Sequence, residues 1–386
     1  MSTNSSRLRV LMVSARYFPY MGGVETQVYE VGRRLASAGV EVTILSTDPQ
    51  GILPAFEEMD NIQIHRVRSW PSNKDYYFAP GIFHFIKSGH WDIIHCQAYH
   101  TLVAPFAMFA AWQANIPYVL TFQSGGHSSR IRNALRRPQW MMLRPLLARA
   151  QKLIALSKFE ADFFQEQLRL PAEQFTVIPS GADLPEVTKS LDRTDDGPLI
   201  ISIGRLERYK GHHRLITALP KVLALVPGAR VRIVGAGPYE SALHKMARKY
   251  GVAERVEIRG VPPGNRGGMA SLIAQADLVT LLSEYESQGI AAMEALALQR
   301  PVLVVGTTAL QELAERGLAC AVPIESTPEE VATAIVKQLR EPLLPANVEL
   351  PTWDDCASKL LTLYTAITGK DRLAHLKAFD VLSSHS

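Results

Sequence analysis

Short apolar runs rich in β-branched residues alternate along this chain with longer stretches of helical period. Residues 7–14 read as a buried strand. A turn follows over residues 17–25, and Val28, Val31 and Leu35 then mark a helix that stops at Gly39. Residues 40–45 are the next strand, which completes a β-α-β start. Further strands are predicted over residues 62–67, 91–95, 116–121, 152–157 and 175–178. The pattern restarts at residues 199–204. Helices are then expected through Val226, up to Tyr250, over 272–276 and over 327–339, where Thr327 supplies a cap. Strands are expected over 229–234, 256–260, 277–282 and 301–305, with a Pro- and Gly-rich loop over 261–268. From Trp353 to about Ala374 the chain reads as one or two amphipathic helices. Continuous apolar strands between helices are the pattern of parallel sheets covered on both faces. The fold class expected is α/β, with two Rossmann-like domains. Residues 1–185 form the first, 186–198 a polar linker, 199–350 the second, and 351–386 terminal helices.

Composition narrows the class. The 386 residues suit two domains rather than one core. Hydrophobic content of 47% and charged content of 20% are ordinary for a globular protein. The polar start, Met1 to Arg7, runs straight into a strand and predicts no signal peptide. No run has the length of a membrane span. Cys96, Cys320 and Cys356 lie far apart and match no zinc pattern, so a reducing cytoplasm is expected. A net charge of +4 favours anionic ligands or surfaces without arguing for nucleic acid.

The densest chemistry lies in residues 281–302. Glu286 and Glu294 stand eight positions apart, and Glu294 is the only charge in an apolar helical segment, 290–298. A carboxylate there is costly unless it is paired or binds something. Gly289 opens the helix, so free amides and the positive dipole end suit a phosphate. Eight helical residues rise about 12 Å, roughly a sugar, a diphosphate and a ribose. The expectation is Glu286 on a sugar hydroxyl, Ser287, Gln288, Gly289 and Ile290 at the diphosphate, and Glu294 on the ribose. The plainer alternative is a solvated glutamate pair. Arg205 and Lys210 follow the first strand of the second half and can grip the same diphosphate; alone, they would read as solvated surface cations. Together these groups read as nucleoside-diphosphate recognition.

Other signatures fail. Gly235, Ala236 and Gly237 begin a dinucleotide fingerprint, but Pro238 intervenes and Glu240 takes the third glycine position. There is no Walker motif, no Gly-x-Ser-x-Gly elbow and no Asp-x-Asp pair to bridge a diphosphate through a metal. In the first half, Gly22 and Gly23 sit at a strand-to-helix turn where backbone can approach a ligand. His95, Gln123 and His127 lie at strand ends and are candidates for the sugar or acceptor; each histidine reads equally as a solvated loop residue. Residues 128–149 carry six arginines (130, 132, 136, 137, 144 and 149) interleaved with Trp140, Met141, Met142 and leucines. That composition fits either a helix meeting anionic lipid or one packed on its own domain.

The ordered set of motifs resembles a retaining glycosyltransferase of the GT-B fold, in the family called GT4. Gly22, Gly23, Val24 and Glu25 resemble its Gly-Gly turn, and Asp92 to His95 its D-x-x-H strand. Ile178 to Asp183 resembles V-I-P-N-G-V-D, and Gly204 to Gly211 resembles G-R-L-x-x-x-K-G. Glu286 and Glu294 form the E-x7-E signature. The resemblance implies two domains facing across a donor cleft, with the last helices crossing back to the first domain. It assigns Arg205 and Lys210 to the donor diphosphate, Glu286 to the transferred sugar, Glu294 to the ribose, and Gly22 and Gly23 to the phosphates. It implies no cofactor and no metal: a metal-independent hexosyltransferase using a UDP-, GDP- or ADP-sugar as substrate, with a lipid, saccharide or small-molecule acceptor. The expected location is the cytoplasm, peripheral at a membrane if residues 130–149 meet lipid. Two departures stand out. The usual T-x-H is Thr121, Phe122 and Gln123, and Gln can hydrogen-bond a sugar but cannot act as a base. The usual glycine after the signature is Gln299. Two further readings stay open: a sugar-nucleotide epimerase of the same fold, and a non-catalytic sugar-nucleotide-binding homologue.

Overall fold

The computed structural model of the chain describes residues 7–20, 22–72, 77–125, 130–187, 197–262, 264–346 and 348–370, with the side chains of all but 130–134. The chain divides into two compact units. The first holds residues up to Ser124, then Leu135–Gly181, then the segment from Pro351. The second holds Ala182–Leu350 and the short Gly125–Ala134 segment.

The first unit is built on an eight-stranded sheet in the order β3-β4-β2-β1-β5-β6-β7-β8. Its strands are β1 (Arg9–Val13), β2 (Glu41–Asp48), β3 (Phe56–Met59), β4 (Ile62–Arg68), β5 (Ile93–Gln97), β6 (Tyr118–Thr121), β7 (Lys152–Ala155) and β8 (Phe175–Val177). All pairings are parallel except β3 with β4. One face carries α1 (Gly23–Ser37) and α12 (Trp353–Thr368), which bury Val28, Val31, Leu360 and Tyr364 against the strands. The other face carries α2 (Gly81–Ser88), α3 (Val103–Gln113), α4 (Arg130–Leu147) and α5 (Lys158–Leu168). The terminal segment is a single helix where it is described, opened by a capping box between Thr352 and Asp355.

The second unit has six parallel strands in the order β11-β10-β9-β12-β13-β14. These are β9 (Leu199–Ile203), β10 (Arg230–Val234), β11 (Val256–Arg259), β12 (Leu278–Leu281), β13 (Val302–Val305) and β14 (Cys320–Val322). Helices α6 (His212–Leu225), α7 (Glu240–Lys249) and α11 (Pro328–Arg340) cover one face. Helices α8 (Arg266–Ala274), α9 (Ile290–Ala297) and α10 (Thr308–Glu315) cover the other. The strand order reverses direction between β9 and β12. In open α/β sheets ligands bind at such a switch point, beyond the strand carboxyl ends. The switch point of the first unit falls between β1 and β5.

The chain differs from its sequence reading in several places. The loop expected over 261–268 gives way to helix at Arg266, whose start is capped when Asn265 accepts a hydrogen bond from the Gly268 amide. Helices α2, α3, α5 and α10, the short edge strand β3 and the edge strand β14 add to the expected elements. The linker residues 188–196 lie outside the described residues. No helix among the described residues is long and apolar enough to cross a membrane.

His95 is the clearest correction. It does not reach a ligand-facing loop but sits inside β5, fully buried. Its Nδ1 lies 2.5 Å from the Tyr364 hydroxyl and its Nε2 2.7 Å from Thr121 Oγ1. The histidine ties β5 to β6 and α12. Burial pushes its pKa down to about 3. An unfolded His95 takes up a proton near its ordinary pKa, and the folded one does not. Stability is therefore intact above that pKa and falls as the pH drops below it, by about 1.4 kcal/mol per unit for each such histidine. Urea unfolding between pH 7 and pH 4.5 is expected to show this loss, and His95→Gln to make the pH dependence shallower by about one proton.

Candidate active site

Two loops meet at the switch point of the second unit. The first follows β9. Gly204 leaves the strand at φ 151°, and the chain turns through a short 3-10 segment, Arg208–Lys210, to Gly211 at φ 74°. A Cβ on Gly211 would lie 1.8 Å from the Leu282 carbonyl oxygen, so both the backbone conformation and the close approach require glycine. His212 sits under this loop. Its Nε2 donates to the Arg205 carbonyl at 3.2 Å, so its Nδ1 accepts from the Ser202 hydroxyl at 2.8 Å. Burial holds its pKa down near 4, which keeps the imidazole neutral in that role. Gly235 and Gly237, the failed dinucleotide fingerprint, have a packing role here. Side chains at these positions would collide with the Gly204 and Leu206 carbonyls.

The second loop follows β12 and runs from Leu282 to Gly289. Lys210 Nζ donates to Glu286 Oε1 at 2.7 Å, and the Ser283 hydroxyl donates to the same oxygen at 2.7 Å. The Glu286 amide donates to Thr308 Oγ1 at 3.0 Å, and the Glu284 amide to the Tyr209 carbonyl at 2.7 Å. The two loops are thus pinned by an ion pair and a backbone bond. Burial, the largest single influence, lowers the pKa of Lys210, but the Glu286 carboxylate beside it and Tyr209 together hold it above the ordinary lysine value. Arg205 points outward, with a side chain 62% exposed and Glu207 at 3.7 Å.

Helix α9 starts directly after this loop. Its N-cap is Gly289 at φ 78°, and no side chain caps it. Glu286, Ser287 and Gln288 precede the helix and are not part of it. Only the four steps from Ile290 to Glu294 are helical, a rise of about 6 Å, so the 12 Å helical span inferred from the spacing does not hold. Glu294 is the fifth residue of α9 and is 4% exposed. Its carboxylate is paired after all: Arg266 donates to Oε1 at 2.7 Å and also to the Asp183 carbonyl at 3.2 Å. Burial raises the Glu294 pKa in spite of Arg266. Arg266 is a residue that sequence reasoning missed. It opens α8 and meets Glu294 twenty-eight positions later, a distance no local motif spans.

In the first unit, Gly22 is the N-cap of α1 in extended backbone, and Gly23 opens the helix with nothing within 4 Å of a Cβ built there. No side chain caps α1. Gln123 follows β6 at φ 44°, an uncommon conformation for glutamine. It is 8% exposed, and its Nε2 donates to Gln97 Oε1 at 2.8 Å and to Gln27 Oε1. Where family members often carry histidine, this chain has a cluster of three glutamines drawn from α1, β5 and the turn after β6. His127 lies outside the described residues. Among the described residues no three His, Cys, Asp or Glu side chains gather to hold a metal ion.

Residues 21–186 match the family model described as Glycosyltransferase Family 4, and residues 185–349 match the one described as Glycosyl transferases group 1. The two matches together span residues 21–349, and the chain belongs to the glycosyltransferase family that they describe. Among curated relatives, a glycogen synthase of Mycobacterium tuberculosis is 29% identical, over 81% of this chain and 82% of that enzyme. A D-inositol 3-phosphate glycosyltransferase of Nocardiopsis dassonvillei is 26% identical, over 90% of each. Among solved structures, a sucrose-phosphate synthase from Thermosynechococcus elongatus superposes with a TM-score of 0.77 at 20% identity, covering 95% of this chain and all 100% of that one. Anabaena HepE, solved in complex with UDP and glucose, superposes with a TM-score of 0.70 at 20% identity, covering 98% and 100%. These likenesses establish the GT-B fold, two Rossmann-like domains, for this glycosyltransferase.

The Arg266–Glu294 pair yields a direct test. Removing the cation leaves a buried carboxylate alone, which costs about 3 kcal/mol when a buried pair is broken. Arg266→Met is expected to lower the urea midpoint of the second unit accordingly. Arg266→Met combined with Glu294→Gln is expected to recover much of the loss, because the uncompensated charge is gone.

Proposed function

We propose that this glycosyltransferase transfers a hexose from a nucleoside-diphosphate sugar to an acceptor hydroxyl with retention at the anomeric carbon and without a metal ion. The observation that carries the reading is the cluster at the β9/β12 switch point. A lysine held cationic, a carboxylate with its second oxygen open to a further donor, and an uncapped helix start stand within one pair of loops. Lys210 and Arg205 would neutralise the diphosphate as its bond to the sugar breaks, and the α9 amides at Gly289 and Ile290 would meet its oxygens. Ser287 and Gln288 lie beside that helix start. Glu286 would accept from a sugar hydroxyl through Oε2, since Lys210 and Ser283 both occupy Oε1. Glu294, shielded and oriented by Arg266, would take the ribose hydroxyls.

The step conserves its proton without a protein base. The acceptor oxygen bonds to the anomeric carbon, the bond from that carbon to the diphosphate oxygen breaks, and the departing phosphate takes the acceptor's proton. Gln123 is neutral and suits this scheme, contributing a hydrogen bond to the sugar rather than proton transfer. Structures of similar fold were solved with UDP, which makes UDP-sugars the first donors to try. The acceptor is a saccharide, a lipid or a small molecule.

The test is turnover of UDP-, GDP- and ADP-hexoses, read as release of free nucleoside diphosphate. Release is expected to require an acceptor, and Lys210→Ala is expected to lower kcat by about 10²–10³-fold in a protein whose circular dichroism is unchanged. Conversion of the sugar nucleotide without acceptor would mean an epimerase, and binding without conversion would mean a non-catalytic homologue.

A further inference from the structure

The clearest feature outside the donor loops is the outer surface of α4. Its inner face is an ordinary core face: Trp140, Leu143 and Leu147 are buried with the β5 and β6 side chains. The outer face should then be polar throughout, yet among the described residues it carries apolar side chains alongside the exposed Arg137. Leu135 is 58% exposed, Met141 62% and Met142 80%. Pro138 and Pro145 are exposed between and beyond them. The spacing of these five positions places them on one stripe down the solvent side of the helix.

The stripe ends at a ladder of rings. Arg149, just beyond α4, lies over the Trp112 ring at 4.9 Å. Trp112 meets Phe109 at 5.7 Å, and Phe109 stacks on Phe83 at 5.9 Å. Lys87 closes the far end, 5.3 Å from the Phe83 ring. Trp112 and Phe109 are 44% and 37% exposed. A cation therefore stands at each end of an apolar, aromatic band that crosses from α2 over α3 to α4. The surrounding sequence is one-sided in charge: no aspartate or glutamate occurs between Asp92 and Glu160.

We propose that this face of the first unit docks on an anionic lipid surface. Exposed apolar side chains scattered singly need no explanation, but a continuous band does. Its composition decides the occupant. The band carries apolar side chains and cations, with few groups of the kind that make the specific hydrogen bonds of a protein interface. Methionine and leucine side chains suit acyl chains, tryptophan suits the head-group level, and Arg137, Arg149 and Lys87 meet lipid phosphates. Arg144 is half-buried and donates to the Leu168 and Arg169 carbonyls at 2.8 and 3.3 Å, so it supports α5; Arg137 and Arg149 are exposed, and each makes one hydrogen bond, to Gln167 at 3.4 Å and to the Pro145 carbonyl at 2.7 Å. Docking would hold the enzyme where a lipid-borne acceptor lies, and the inference stands whichever nucleotide the donor loops bind.

Cosedimentation of the full chain with vesicles tests it, using phosphatidylcholine alone and equal parts phosphatidylcholine and phosphatidylglycerol. Binding is expected to the mixed vesicles and not to the neutral ones, and to weaken as salt is raised. Arg137→Gln with Arg149→Gln is expected to lower the partition coefficient roughly fivefold per cation. Met141→Ser with Met142→Ser is expected to lower it further at unchanged salt dependence. All four residues are exposed, and unchanged melting by circular dichroism checks that the variants fold. Failure of the wild type to sediment with the mixed vesicles would overturn the proposal. So would equal binding by both variants, or sedimentation equilibrium showing that the band instead mediates self-association that the variants lose.

Discussion

The ion pair between Lys210 and Glu286 is the constraint on which the second unit's candidate site depends. Its two residues come from loops that follow β9 and β12, adjacent strands whose outward connections run in opposite directions. Nothing in the sheet itself fixes the far ends of those loops. The pair does so, with help from Ser283 on the same carboxylate oxygen and from the backbone bond between Glu284 and Tyr209. A pair of this kind is weak evidence for stability, because taking both charges from water costs nearly what their attraction returns. Its value is positional. It keeps a cation and a carboxylate beside the start of α9, the grouping on which the proposed donor site rests.

The same logic runs through the neighbouring residues. Neutral His212 supports the Arg205 carbonyl from beneath, and Gly211 lets the lysine loop touch Leu282. Gly235 and Gly237 allow the next loop to lie against Gly204 and Leu206. Glu294, buried in an apolar helix, is tolerable because Arg266 meets it. Each of these contacts has a structural rationale, and together they fix charges in a shape that loops alone would not hold.

Much of this was legible in the sequence, and the exceptions have physical reasons. Strands such as β1, β9 and β13 are continuous apolar runs and announce themselves. So do the glycines at the loop ends and the glutamate spacing. Helix α3 was not legible because it is apolar on nearly every side and lacks a helical period. Strand β3 is a four-residue edge with alternating exposure. His95 looked like a strand-end ligand, but its place inside β5, bonded to Thr121 and to Tyr364 from α12, depends on contacts distant in sequence. Arg266 escaped for the same reason: its partner is set by how α8 and α9 pack. The arginines of α4 suggested either lipid or a packed helix, and the helix both packs on its own unit and presents an apolar outer stripe.

Calorimetric titration of UDP, GDP and ADP into the wild type and into Glu294→Gln tests the central claim most directly. The account predicts that one nucleotide binds the wild type and that the variant weakens it by at least about tenfold, the loss of a hydrogen bond to a charged group. Binding of no nucleotide, or binding that Glu294→Gln leaves unchanged, would contradict the assignment of these loops to a nucleoside diphosphate.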